Sequence, residues 1–79
     1  MIRREGLRLV LTFYTTADAI AVERLCKQKQ IPGRLIPVPR ELTSDCGMAW
    51  SMPPEARPLL DEALAAHPVE IASEAELMM

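Results

Sequence analysis

Two cysteines and one histidine are the residues of this chain best suited to chemistry: Cys26, Cys46 and His67. Cys46 stands in the stretch "PRELTSDCG", Pro39 to Gly47, between two apolar runs. The thiolate is the reactive form of cysteine, so a nucleophilic role needs a lowered pKa. Arg40 in the same stretch favours the thiolate and Asp45 opposes it, which leaves the sign of the net shift open. Thr43 and Ser44 carry hydroxyls that can donate to a thiolate or to a sulfur attached to it. Gly47 lets the backbone beside the thiol turn left-handed and leaves room for a large partner group. The competing reading is a solvated turn that happens to contain a cysteine.

Cys26 falls in a helical run, about ten residues from its start, which at ~1.5 Å per residue is ~15 Å along the axis. A disulfide needs Cα atoms within ~7 Å, so no Cys26–Cys46 bridge is expected and Cys26 reads as buried packing. The cysteines form no CxxC pair, and no His/Cys cluster has zinc spacing, so no metal is expected. No dinucleotide, P-loop, nucleophile-elbow, zinc-protease or calcium-loop pattern occurs either, so no cofactor is expected. His67 closes a helix and reads first as a C-terminal cation; its other reading is a base for Cys46. No second catalytic group is convincingly placed, so a conventional hydrolase or transferase is not expected.

The elements that must position these residues are legible as periodicities. "LRLVLTFY" alternates Leu7, Leu9, Leu11 and Phe13 against Arg8, Val10, Thr12 and Tyr14, the period of a strand. Thr15 and Asp18 have helix-capping spacing. The run from about Ala17 to Gln30 places Ala17, Ile20, Ala21 and Leu25 on one stripe, and Pro32-Gly33 ends it. "RLIPV" is a short strand that Pro37 confines to an edge. "MAWSM" is the third strand, with Met48, Trp50 and Met52 on one face. Trp50 reads as core on the helix-covered side, or with the two methionines as an adaptable apolar surface. A second helix from about Glu55 to Ala66 carries Ala56, Leu59, Leu60, Ala63 and Leu64 on its apolar face. "VEIA" offers the fourth strand. Residues 73–79, with Ser73 and Glu76 at capping-box spacing, read as a tail or a short terminal helix.

The order β-α-β-β-α-β predicts an α+β fold, the ferredoxin-like split βαβ, with an antiparallel sheet in order 4-1-3-2 and both helices on one face. The 79 residues are read as one domain with an ordered core over about 6–72. In this topology the Cys46 loop opens at the sheet end where the first helix begins.

Net charge is −2, which recommends no nucleic-acid partner. The charge is unevenly spread: residues 1–40 hold eight Lys/Arg and three Asp/Glu, whereas residues 41–79 hold one Arg and eight Asp/Glu. Arg3-Arg4 before an apolar run imitates an export signal, but Arg8 interrupts the run and no small-residue cleavage site follows. No membrane span is expected. Two cysteines are too few for a secreted disulfide scaffold, so a cytoplasmic location is expected.

The segment "IPGRLIPVPRELTSDCGMAW", following a strand and a helix and leading to a second helix, resembles the small bacterial domains of the selenium/sulfur carrier-like family. The resemblance covers nearly the whole chain to about Ile71. It implies that Cys46 accepts and passes on sulfur or selenium as a persulfide or selenopersulfide. It makes Gly47 the permissive neighbour and gives Arg40 and Ser44 the task of orienting the loop. The implied partners are donor and acceptor proteins, a desulfurase-like donor among them. The alternative is a noncatalytic interaction or regulatory module that forms a homodimer through an uncovered sheet face or an edge strand. A redox sensor using Cys46 is the third reading.

Overall fold

A computed structural model describes residues 6–40, 42 and 47–78. The elements in chain order are β1 (Leu7–Thr12), α1 (Thr16–Gln28), β2 (Arg34–Pro37), β3 (Met48–Met52), a 3-10 turn (Pro54–Ala56), α2 (Arg57–Ala66) and β4 (Ser73–Met78). The strands form one antiparallel sheet in the order β2-β3-β1-β4, which read from the opposite edge is β4-β1-β3-β2. The chain is therefore α+β with a four-stranded sheet and two helices.

Alternation in β1 produces the two faces. Leu9, Leu11 and Phe13 join Trp50 and Met52 of β3 in a core that also takes Val22, Leu25 and Cys26 from α1 and Leu60 and Ala63 from α2. Both helices thus lie on one face of the sheet. Trp50 is core, at 3 % exposure, and Met52 is fully buried. The opposite face is not open at its centre: Val10, Thr12, Ala49 and Ser51 are all buried. Arg8 lies over it, its Nε donating to Ser51 Oγ at 3.1 Å and its Nη2 to the Ser51 carbonyl at 3.3 Å. An uncovered apolar sheet face, one of the two routes to a dimer expected from sequence, is absent at these positions.

Three sequence expectations need correction. The buried stripe of α1 is Ala19, Val22, Leu25 and Cys26 rather than Ala17, Ile20, Ala21 and Leu25, and Ile20 is 41 % exposed. α1 carries apolar residues over much of its circumference, so periodicity alone does not choose which side meets the sheet.

The helix also stops earlier than Pro32-Gly33. Gln30 adopts φ 58°, its N–H donates to the Lys27 carbonyl, and the Ile31 N–H donates to the Cys26 carbonyl at 2.8 Å. This is a Schellman motif with Gln30 at the left-handed position and Ile31 making the accompanying apolar contact in the core. Glycine is the residue that position favours. Gln30→Gly is therefore expected to stabilise the fold by about 0.5–1 kcal/mol, read as a higher denaturation midpoint; an unchanged or lower midpoint would contradict the assignment.

The third correction concerns the C-terminus. β4 is Ser73–Met78, neither the "VEIA" segment nor a terminal helix. Residues 67–72 are spent crossing from the end of α2 to the edge beside β1, with Val69 and Ile71 packed against the core on the way. Pairing begins when the Ala72 N–H reaches the Thr12 carbonyl at 2.8 Å, and Thr12 Oγ1 meets Ser73 Oγ at 2.6 Å. From there all six residues of β1 are matched, Thr12 with Ser73 through Leu7 with Met78. β1 is central, so its second edge of backbone donors and acceptors needs a strand of that length. Arg57 pairs within α2, donating to Asp61 at 2.7 Å, and ties the helix to β4 by donating to Glu74.

Candidate functional site

The sequence-stretch that carries Cys46 connects β2 to β3, and its base is well defined. β2 ends at Pro37, paired with Met48, and the Val38 N–H donates to the Gly47 carbonyl at 3.2 Å, one step beyond the last strand pair. Leu42 N–H folds back onto the Pro39 carbonyl at 3.0 Å, which starts the turn. Val38 lies between Pro37 and Pro39, neither of which has an N–H to donate. It is the one residue of the three able to close the neck. Sequence reading missed it, although the Pro-Val-Pro spacing was the available signal.

Gly47 adopts φ 76°, the left-handed region, and a Cβ placed there would meet nothing within 4 Å. The glycine is thus needed for its backbone conformation, and the space beside it is open. Arg40 is exposed. Cys46 and Ser44, with Thr43 and Asp45, lie outside the described residues.

The base of the loop lies where the sequence topology put it. Thr12, Ala49 and Ile36 are cross-strand neighbours near this end of the sheet, and the chain leaving Thr12 turns into α1 within four residues. The Thr15 side chain caps that helix, its Oγ1 accepting from the Asp18 N–H at 3.1 Å.

Cys26 is a free thiol and is completely buried on the core side of α1. Burial removes solvation from the thiolate and pushes the thiol up to about 11. At neutral pH it is a protonated packing residue. His67 caps the C-terminus of α2, its N–H donating to the Ala63 carbonyl at 2.9 Å. It lines a groove with residues of the second half of α1, Arg24 to Gln28, and not with the first turn of that helix. Among the described residues no group of three His, Cys, Asp or Glu side chains is placed to hold a metal ion, and no helix is long and apolar enough to cross a membrane.

A model of the family described as "Putative Se/S carrier protein-like" matches residues 8–75, from the start of β1 into β4. The chain belongs to this family. The match spans both the loop and the core that supports it. Comparison with curated proteins and with solved structures yields no match. As a member of the Se/S carrier-like family, the chain combines a closed-neck loop containing one cysteine with a second cysteine sealed in the core.

Proposed function

We propose that this protein is a sulfur or selenium carrier whose working atom is Cys46 Sγ. The observation that carries the reading is the state of the other thiol: Cys26 is fully buried and pushed up to about 11, so a carrier-family chain with two cysteines is left with Cys46. The open space and left-handed backbone at Gly47 support it, because a carrier thiol must enter a partner's site without its own chain blocking the approach.

In the loading step the Cys46 thiolate attacks the terminal sulfur of a donor persulfide, R–S–SH. A bond forms between Cys46 Sγ and that sulfur, the donor S–S bond breaks, and its electron pair leaves on the donor thiolate. Nothing is oxidised or reduced overall. Delivery is the same exchange in reverse sense, with an acceptor nucleophile taking the terminal sulfur and Cys46 departing as thiolate. A terminal selenium follows the same course. In this reading Arg40 favours the thiolate by its charge and Ser44 donates to it, while a desulfurase-like protein is the donor.

The wider setting belongs to the same proposal: a single ferredoxin-like domain of a bacterial cytoplasm, acting by protein–protein encounter. The exposed edge strand β4 supports self-association as an added property.

The test is intact-mass analysis after incubation with a cysteine desulfurase and cysteine. Wild type and Cys26→Ser are expected to gain one sulfur atom and Cys46→Ser none. Equal gain by Cys46→Ser, or no gain by wild type with a range of persulfide donors, would sink the proposal. A loop cysteine that oxidises reversibly without taking up sulfur would point to a redox sensor instead.

A further inference from the structure

A groove of about 800 Å³ lies between the second half of α1 and the C-terminal end of α2. Its floor is apolar, built by Ala21, Leu25 and Val69, and its rim carries Arg24, Lys27 and His67. No acidic residue lines it. Neither Arg24 nor Lys27 has an ion-pair partner among the described residues; the ion pairs formed there belong to Arg57. Glu23, the nearest acid in sequence, lines a separate, smaller groove on the other side of Lys27.

The floor also continues beyond the groove. Residues four apart on a helix share a face, so Ala17 and Ile20 extend the wall formed by Ala21 and Arg24 one turn toward the start of α1. Ile20 is 41 % exposed and Ala17 is exposed. Of the apolar residues that periodicity assigned to the core, Ala17, Ile20 and Ala21 therefore lie along this outward track, while Leu25 stays in the core. The track leads to the sheet end at which the β2–β3 loop opens.

We propose that this groove docks an acidic amphipathic segment of a partner protein, its apolar side chains on Ala21, Leu25 and Val69 and its carboxylates facing Arg24 and Lys27. The charge pattern selects the occupant. An apolar trough with unpaired cations on its rim and no acid along it favours a ligand that brings both apolar anchors and negative charge. The inference does not depend on sulfur transfer at Cys46, and it holds whatever the loop carries.

The probe is a synthetic helical peptide with leucines on one stripe and glutamates elsewhere, titrated into the isotope-labelled protein and followed by amide shifts. Shifts centred on Ala21, Leu25 and Val69 are expected. Affinity should fall on the order of tenfold in the double variant Arg24→Glu/Lys27→Glu, and it should weaken as salt is raised. Both positions are exposed, so the variant should keep the wild-type unfolding midpoint. The proposal is overturned if the peptide shifts nothing, if a scrambled peptide of the same composition binds as well, or if a lysine version binds equally. It is also overturned if the groove residues shift with protein concentration alone, since a second copy of the chain would then be the occupant.

Discussion

Gly33→Ala is expected to cost about 2–4 kcal/mol of folding stability, the largest loss for the smallest substitution in the chain. A Cβ at Gly33 would lie 2.5 and 2.7 Å from two carbons of the Trp50 indole and 2.9 Å from the Ser51 carbonyl oxygen. None of these can yield cheaply. The indole is held in the core at 3 % exposure, and the carbonyl belongs to the backbone of β3, whose Ser51 pairs with Arg34. Gly33 also has φ 152°, a conformation that residues with a side chain rarely adopt. Overpacking costs about 1–3 kcal/mol and a strained backbone about 1–3 kcal/mol. A domain of this size has roughly 4–12 kcal/mol in total.

The control is Gly47→Ala. That position also has positive φ but meets nothing within 4 Å, so only the backbone term of about 1 kcal/mol remains. Trp50 is the chain's one tryptophan, and its fluorescence during urea unfolding reads both variants. If Gly33→Ala unfolds within 0.5 kcal/mol of wild type, or loses no more than Gly47→Ala, the close approach to Trp50 does not control stability as argued.

The second large effect is a dependence of stability on alkaline pH that belongs to Cys26. Burial raises this thiol from 9.0 to about 11, so the native state holds the proton more tightly than the unfolded chain. The contribution is fully present below about pH 8.5, and it is lost as pH rises from there through about 11, where the native thiol too must ionise. A two-unit difference corresponds to about 2.7 kcal/mol. The decisive quantity is the difference between two proteins that share every other ionisable group. Between pH 8 and 11 wild type should lose about 2–3 kcal/mol more than Cys26→Ala. Parallel slopes for the two would show that Cys26 is not held as a buried neutral thiol. At neutral pH the same burial predicts that a thiol reagent modifies Cys26 only after denaturant is added.

Much of the scaffold is legible in local pattern because local pattern reports which residues must share a face. The alternation of β1 and β3, the helices on either side of the loop, and the edge position of a strand containing Pro37 follow from periods of two and 3.6 and from proline's missing donor. The antiparallel order with β1 and β3 central and both helices on one face follows from short connections and handedness. At the neck of the loop, Gly47 is left-handed with open space beside it, as its residue type suggested, and Cys26 is the packing residue its helical position suggested.

The remaining decisions were made by contacts between residues distant in sequence. Ile20 and Val22 are equally apolar, and only the docking of α1 on Trp50 and Met52 chose Val22 for the core. "VEIA" and "SEAELM" both could pair, and the second prevailed because six residues were needed to cross from α2 to the free edge of β1. Gly33 reads in sequence as a helix stop, yet its role is to let the chain pass over an indole from β3. Composition and periodicity specify each segment against water, whereas the choice among equally apolar faces and equally plausible strands depends on which partner surface lies within reach once the sheet has formed.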